Sequence, residues 1–305
     1  MEGWTPRPSF GSLPREVVRR VEERLGSAVT GHRDATGGMS PAVAAVLLLA
    51  NGRRVFVKVL QRGLNTTSEV LVEREWRALA LLPETIPYAR PLATEDLGGW
   101  LLTAVEGVDG TTVPTPWSEG DLGKVLTAYA TIGAHRAPEG LPTTVEVGPR
   151  LDGWDVLVGD PARREAAGVS AHRSTELAGF VGDWRALLAG DRLVHADARA
   201  DNVLISRAQE VVVVDWSFGS RGPAWVDVAQ VCLDALTEGS SGAQRLAVET
   251  VVAAGWPARR YAVGLVGMLT RNATNPPHAG LPTFRAWQQR RAQSLWPFLA
   301  ELVGA

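Results

Sequence analysis

Residues 193–205 read LVHADARADNVLI, and this stretch decides the fold. It holds the pattern H-x-D-x-x-x-x-N, with His195, Asp197 and Asn202 at the fixed positions, and leads into an apolar strand. When a phosphoryl group moves from ATP to a hydroxyl, a carboxylate orients the attacking oxygen and accepts its proton. An amide oxygen close by helps to hold Mg²⁺. Asp197 and Asn202 have the chemical types for these two tasks.

A second apolar run follows at 211–214, VVVV, and ends at Asp215. A carboxylate at a strand end can act as a second oxygen ligand of a metal that faces phosphate groups. The same pattern also fits an aspartate that simply ends a strand. A metallohydrolase that uses His195 and Asp197 as ligands is a weaker alternative, because it needs further nitrogen ligands and the other histidines are isolated in the sequence.

Upstream, the apolar runs at 42–50 and 53–60 flank an Asn-Gly pair at 51–52, which predicts a β-hairpin. The second run, RRVFVKVL, contains Lys58, one of only two lysines in a chain with 31 basic residues. A lysine between two valines, in a chain that rarely uses lysine, favours an ammonium group held in a defined place. An outward residue on a half-exposed strand is the alternative.

The remaining periodic segments predict a small β-rich region followed by a mainly helical one. The first region has an N-terminal helix with Val17, Val21 and Leu25 on one face, a helix from Ser68 to before Pro83, and a strand at 100–105. The second region has helices at 118–136 and 174–188, strands at 203–206 and 211–214, and further helices from Asp227, Gly242, Pro257 and Pro282. We therefore predict an α+β fold with an N-terminal lobe over residues 1–106 and a C-terminal lobe over residues 107–305.

These segments together resemble the aminoglycoside phosphotransferase family, whose loop reads H-G-D followed by Asn and whose metal aspartate begins D-F or D-W. RVFVKVL is similar to the family's lysine strand, EREWRALALLP to its glutamate helix, LLTAVEG to its interlobe hinge, and GPAWVDVAQ to the stretch entering the next helix. The resemblance covers most of the chain and implies a bilobal, protein-kinase-like fold. The chain departs from the pattern at Ala196, where the family usually has glycine, and at Ser217, where protein kinases have the glycine of D-F-G.

The resemblance implies a nucleotide site for ATP, or alternatively GTP, with Mg²⁺, and a role for each matching residue. The implied residues are Asp197 as catalytic base; Lys58, Glu75, Gly37, Gly38, Ser40, Thr103 and Val105 for the nucleotide; Asn202 and Asp215 for the metal; and His195 and Asp227 as supports of the loop.

Several of these positions also have ordinary explanations. Glu69 and Glu73 lie on the same predicted helix as Glu75, and a solvated charged face explains all three. Asp227 could also be an ordinary helix N-cap, and paired glycines such as those at 37–38 mark any turn. The order of the motifs along the chain favours the functional interpretation. The motifs follow one another as that scaffold requires: the glycine loop, the lysine, the glutamate, H-x-D-x-x-x-x-N and the aspartate.

The acceptor substrate is less well indicated. A pocket for polycationic aminoglycosides calls for carboxylates. The chain has nine acidic residues and five arginines between Glu139 and Asp191, but five acidic residues and seven arginines from Asp227 onwards. Asp152, Asp155 and Asp183 are candidates for contacting amino groups, and a solvated surface explains each of them as well. The resemblance implies a hydroxylated small molecule, with an antibiotic as the leading class; nucleosides, choline-like alcohols and sugars remain open.

The composition of the chain limits the classes of partner that it could bind. The chain has 305 residues, 45% of them hydrophobic, and a net charge of -2, so no overall field points to nucleic acid or a membrane surface. The longest apolar run, 42–50, is too short to span a bilayer, and the single cysteine, Cys232, fits a reducing cytoplasm. A non-catalytic, pseudokinase-like module is the rival from another class, but such a module usually lacks the base, the lysine or a metal ligand.

Overall fold

A computed structural model describes residues 7–35, 40–277 and 283–304. The chain forms two compact units, each with its own core. One unit comprises the described residues up to Thr112 together with Asp201–Phe218, and the other comprises Val113–Ala200 together with the described residues from Gly219 onwards.

The strands in the described part of the chain are β1 (Val29–Asp34), β2 (Val43–Leu49), β3 (Arg54–Gln61), β4 (Pro91–Asp96), β5 (Trp100–Glu106), β6 (Gly110–Thr112), β7 (Arg192–Val194), β8 (Val203–Ser206), β9 (Val211–Val213) and β10 (Ser220–Gly222). The helices there are α1 (Arg15–Leu25), α2 (Thr66–Leu79), α3 (Glu119–Ala134), α4 (Thr144–Val147), α5 (Gly153–Gly159), α6 (Pro161–Ala166), α7 (Ala171–Val181), α8 (Trp184–Leu187), α9 (Val226–Glu238), α10 (Ser241–Ala253), α11 (Trp256–Ala273), α12 (Phe284–Leu295) and α13 (Leu299–Val303).

The first unit is built on an antiparallel sheet with strand order β1-β2-β3-β5-β4. The predicted hairpin is confirmed, since β2 pairs with β3 across the turn that contains Gly52, whose φ of 82° suits glycine. The predicted N-terminal helix is also confirmed, as is the strand at 100–105, which extends to Glu106.

The two faces of this sheet pack against different helices. Alternate side chains of β3 point to opposite faces, and its three valines pack in one cluster with Val17 and Val21 of α1. Leu60, on the other face, packs with Val72 of α2. Because Lys58 has the same parity as Leu60, the alternation directs Lys58 to the face covered by α2.

A smaller sheet, with order β6-β8-β9, also belongs to the first unit. The predicted strand at 203–206 is confirmed, and the one predicted at 211–214 ends one residue earlier, at Val213. Val213 forms a bridge with Tyr88, whose ring meets that of Trp216 edge to face at 6.4 Å. This packing fixes the chain on both sides of Asp215.

The second unit is mainly helical. Helix α3 begins where the Ser118–Asp121 pattern predicts, since the Ser118 hydroxyl accepts a hydrogen bond from the Asp121 N–H at 3.0 Å, but it ends at Ala134 and not at Arg136. Helices α9, α10 and α11 begin within one residue of the predicted starts. The predicted start at Pro282 lies outside the described residues.

The predicted helix at 174–188 is wrong. The structure has two helices there, α7 and α8, which are separated at Gly182. Gly182 has a φ of 59°, and the Asp183 carboxylate then accepts hydrogen bonds from the Arg185 and Ala186 N–H groups and starts a new helix. None of the described helices is both long enough and apolar enough to cross a bilayer.

Candidate functional site

In the first unit, Lys58 of β3 meets Glu75 of α2. The Lys58 Nζ lies 3.0 Å from Glu75 Oε1 and 3.2 Å from Oε2, and the glutamate is 3% exposed. The competing glutamates have other contacts: Glu69 accepts from the Gly63 N–H, and Glu73 pairs with Arg62 on the surface. Of the three carboxylates, Glu75 is the one that contacts the strand lysine.

Asp215 is the second partner of Lys58, with its Oδ2 3.1 Å from the Nζ. Its other oxygen accepts a hydrogen bond from the Ser217 hydroxyl at 2.7 Å. Burial alone would lower the pKa of Lys58, but the carboxylates of Asp215 and Glu75 outweigh burial and raise it above its ordinary value. The lysine therefore remains an ammonium group at neutral pH and can bind phosphate oxygens.

Asp215 has an unusual backbone conformation. Its φ is 65°, in the left-handed region that non-glycine residues rarely adopt. Its side chain is 38% exposed, although it follows the buried Val213 closely in sequence. Strained backbone of this kind persists where the surrounding structure holds it, and it is common at ligand sites.

Asn202 also belongs to this unit and lies immediately before β8. The residue is 5% exposed. Its main-chain carbonyl oxygen accepts a hydrogen bond from the Val214 N–H at 2.9 Å, which joins the segments that carry Asn202 and Asp215. Carboxylate and amide oxygens are the ligand types that Mg²⁺ prefers. No cluster of three or more His, Cys, Asp or Glu side chains suited to a metal was found in the part of the chain that the structure describes.

Two of the other predicted nucleotide residues lie on β5, and a third lies just before β2. Thr103 on β5 is paired with Lys58 in register, and its hydroxyl accepts from the indole N–H of Trp76 at 2.8 Å. Val105 is on the same strand, and the Ser40 hydroxyl accepts from the Ala42 N–H at 3.3 Å. Gly37 and Gly38 lie outside the described residues.

In the second unit, the segment at 195–197 is held by the buried carboxylate of Asp227. The His195 N–H donates to Asp227 Oδ2 at 2.7 Å, and the Ala196 N–H donates to Oδ1 at 2.8 Å. Burial raises the pKa of Asp227 above its ordinary value, although these contacts act in the opposite direction. The N-cap explanation for Asp227 is wrong, because Trp225 is the N-cap of α9.

Asp197 follows Ala196, whose φ of 61° is left-handed. The Asp197 N–H donates to Nδ1 of the fully buried His195 at 3.3 Å, so the histidine orients the loop. The Asp197 side chain is 28% exposed, and its Oδ1 lies 3.4 Å from Nε of Arg199. A partly exposed carboxylate on a fixed backbone can accept a proton from a bound hydroxyl.

The three acidic residues predicted to contact the acceptor differ in their surroundings. Asp152 pairs with Arg150 at 2.5 Å and with Arg271 at 3.5 Å. Asp183 caps α8. Asp155 is exposed at the surface, but the protein atoms around its carboxylate remove part of its water, and this desolvation, followed by the charge of Asp152, raises its pKa.

Sequence reasoning missed two polar residues of α9. The Ala198 N–H donates to Gln230 Oε1 at 2.9 Å, and the Ala200 N–H donates to Asp234 Oδ2 at 3.0 Å. A signal for both is present in the sequence, because positions 227, 230 and 234 are the polar ones in the otherwise apolar run at 226–236. Their spacing of three and four residues places them on one helix face.

The sequence of the chain matches that of a known family. Residues 33–262 match the profile of the "Phosphotransferase enzyme family". None of the curated proteins compared with the chain is similar enough in sequence to count as a match.

Several solved structures are similar in fold. An aminoglycoside phosphotransferase, APH(4)-Ia, in a ternary complex with ADP and hygromycin B is 16% identical, with a TM-score of 0.57 over 92% of this chain and 97% of that one. An aminoglycoside phosphotransferase from Alicyclobacillus acidocaldarius is 14% identical, with a TM-score of 0.62 over 95% of each chain. The choline kinase LicA from Streptococcus pneumoniae is 14% identical, with a TM-score of 0.58 over 92% and 98%. These likenesses confirm the kinase-like α+β fold.

Proposed function

The chain belongs to the phosphotransferase enzyme family, and from this premise we propose that it transfers the γ-phosphoryl group of ATP to a hydroxyl of a small molecule, with Mg²⁺. One observation carries the proposal. The Lys58 ammonium lies 3.0 Å from buried Glu75 and 3.1 Å from Asp215, so a strand, a helix and a distant loop converge on one cation. Phosphoryl transfer requires a fixed cation beside a metal-binding carboxylate.

The nucleotide would be held by groups of the first unit. Lys58 would bind phosphate oxygens, and Glu75 would keep the ammonium in place. Thr103 would act indirectly, because its hydroxyl is bonded to Trp76. The resemblance adds Val105 and the loop of Gly37, Gly38 and Ser40 to the proposed nucleotide site.

Asp215 and Asn202 would hold Mg²⁺. The donor set fits, because the Asp215 side chain is 38% exposed and its two carboxylate oxygens offer about four lone-pair sites between them. Both residues offer oxygen ligands, as Mg²⁺ prefers. A bound Mg²⁺ would offset the negative charge of the phosphate oxygens.

Asp197 is the proposed base. It would orient the acceptor hydroxyl and take its proton on a carboxylate oxygen. The hydroxyl oxygen forms a bond to the γ-phosphorus while the bond from that phosphorus to the bridging oxygen breaks, and ADP leaves. Asp227 and His195 would support this step by fixing the backbone that carries Asp197.

The proposed acceptor is an antibiotic such as an aminoglycoside, and the alternatives are a nucleoside, a choline-like alcohol or a sugar. An antibiotic acceptor would fit a role in resistance, in self-protection or in biosynthesis. Of the candidate carboxylates, Asp152 is already paired with arginines and Asp183 caps a helix. Asp155 is therefore the one most available to an amino group of the acceptor.

The test is to incubate the protein with Mg-ATP or Mg-GTP and a panel of hydroxylated antibiotics, nucleosides, sugars and amino alcohols. Mass spectrometry then detects phosphorylated product, and EDTA removes the metal. We expect transfer to at least one compound, and loss of transfer with EDTA. If nucleotide binds but no compound is phosphorylated, the chain is better described as a non-catalytic binding module.

Asp197→Ala separates binding from transfer. We expect it to abolish transfer and to leave Mg-nucleotide binding largely intact, because Lys58, Asn202 and Asp215 remain. Asp191→Ala, which alters an exposed aspartate in the same segment, is the matched control and should leave transfer unchanged. Loss of nucleotide binding in folded Asp197→Ala would contradict the proposed role.

A further inference from the structure

Helix α9 presents a row of polar side chains to the backbone of the segment at 195–200. Three of them, at positions three and four residues apart, bond to peptide N–H groups of that segment. The Asp227 carboxylate accepts from the N–H groups of His195 and Ala196. The Gln230 amide oxygen accepts from the Ala198 N–H, and the Asp234 carboxylate accepts from the Ala200 N–H. Side chains of α9 therefore fix the backbone of this segment.

Gln230 differs from the other two because it bonds in both directions. Its Oε1 accepts from the Ala198 N–H at 2.9 Å, and its Nε2 donates to the Ala196 carbonyl at 3.0 Å. Asp227 already holds the Ala196 N–H at 2.8 Å. Both polar backbone atoms of Ala196 are thus bound by α9.

Ala196 needs this restraint. Its φ of 61° is a conformation that residues with a Cβ avoid, because the Cβ crowds the carbonyl oxygen. The carbonyl of Ala196 and the N–H of Asp197 belong to one peptide group, which is held at its oxygen by Gln230 and at its N–H by His195 Nδ1 at 3.3 Å. Rotation of that peptide group would redirect the Asp197 side chain.

We propose that Gln230 is a positioning residue that holds Ala196 in the left-handed conformation and thereby sets the direction of the Asp197 carboxylate. The inference rests on the proposed function only where it names Asp197 as the base. The restraint on Ala196 itself is a matter of backbone geometry and is testable without any acceptor.

The kinetic test uses Gln230→Leu, which removes both hydrogen bonds to the loop at similar volume, together with the contact between Gln230 and the Tyr261 hydroxyl. Gln244→Leu is the matched control, because Gln244 also donates to a backbone carbonyl, that of Leu236, but does not contact the loop. We expect Gln230→Leu to lower kcat by at least about tenfold with little change in the KM for nucleotide, since a small displacement of a reacting group is costly. A change confined to KM, or an equal loss of kcat in Gln244→Leu, would overturn the proposal.

The same substitution is then made in the Ala196→Gly background. Glycine adopts the left-handed conformation without a steric cost, so the effect of Gln230→Leu should be smaller there. A residue that only satisfies buried polar groups would cause the same loss in both backgrounds, because independent effects add. Equal losses of kcat in the two backgrounds would therefore contradict the positioning role.

Urea unfolding of the four proteins of this cycle provides a readout that does not depend on activity. We expect Gln230→Leu to lower the unfolding midpoint less in the Ala196→Gly background than in the wild type. If no acceptor is phosphorylated, the proposed function fails, and this coupling alone decides whether Gln230 restrains Ala196. Additive shifts of the midpoint would overturn the inference whether or not the enzyme is active.

Discussion

At the scale of single residues, the side-chain alternation of β3 explains why Lys58 is a functional candidate. Its valine neighbours pack beside α1, so the lysine points to the face of α2, where Glu75 lies. The rarity of lysine identified Lys58 from the sequence. Glu75 could not be separated from Glu69 and Glu73 in that way, because all three are carboxylates on one helix and only burial distinguishes them.

Lys58→Met tests the role of the ammonium group. We expect it to lower kcat/KM for nucleotide by at least about a hundredfold, as loss of one preorganised electrostatic contact does in other enzymes. Lys124→Met is the control, since the other lysine of the chain lies 40% exposed near Asp121, and it should change kcat/KM by less than about twofold. Similar losses in the two variants would contradict a specific role for Lys58.

Asp234 gives a prediction for pH. Burial alone would raise its pKa, but Arg291 at 2.6 Å and the N–H donors of Ala200 and Trp117 lower it below its ordinary value of 3.8. A carboxyl whose pKa is lower in the folded state stabilises the fold above the unfolded pKa and loses that contribution as the pH falls.

We therefore expect Asp234→Asn to lower the free energy of unfolding by at least about 2 kcal/mol at pH 7, because it leaves Arg291 without its buried anion. The difference from the wild type should shrink below about pH 4. Urea unfolding at pH 7 and pH 3 measures both values, with the exposed Asp191→Asn as a control. A difference that does not change with pH would contradict this account.

At the scale of elements, the helix predicted at 174–188 shows where pattern reasoning fails. The apolar period continues through Gly182, so the sequence favours one helix. The structure ends α7 there, because Gly182 takes up a left-handed φ and its neighbour Asp183 satisfies the first N–H groups of α8. The sequence contains both signals for this break, a glycine and an N-capping aspartate, but a prediction based on apolar periodicity alone does not take them into account.

Gly182→Ala should lower the free energy of unfolding by about 1–2 kcal/mol, because alanine is strained at a positive φ and its Cβ would lie 2.6 Å from Arg260 Nη2. Gly179→Ala is the matched control on the same helix, where a Cβ meets no atom within 4 Å. That variant should be more stable than the wild type by about 0.5–1 kcal/mol. Thermal and urea denaturation measure both, and a stabilised Gly182→Ala would contradict the assigned break.

At the scale of the whole molecule, the chain passes from one compact unit to the other three times, after Thr112, Ala200 and Phe218. The first unit is therefore built from two pieces that are distant in sequence. The second piece supplies β8 and β9, which complete the sheet with β6, and it carries Asp215 beside Lys58.

A fragment of residues 1–112 should therefore be much less stable than the complete chain. It lacks the strands that pair with β6 and it lacks Trp216, which is 1% exposed, so core surface near Tyr88 becomes exposed to water. Circular dichroism in urea measures the loss. The same fragment joined to residues 201–218 by a Gly/Ser linker should regain stability, and equal stability of the two fragments would contradict the two-piece unit.

The sequence by itself determined the hairpin, the N-terminal helix, the order of the chemical groups and the reaction class, because these depend on local periodicity, turn residues and motif spacing. Only the tertiary structure decided that Glu75 is the partner of Lys58, that Asp227 supports the loop and does not cap its helix, and that Gln230 holds a strained Ala196. These facts depend on burial and on contacts between residues far apart in the chain. A sequence pattern records which groups are available, whereas folding decides which of them lose water and meet.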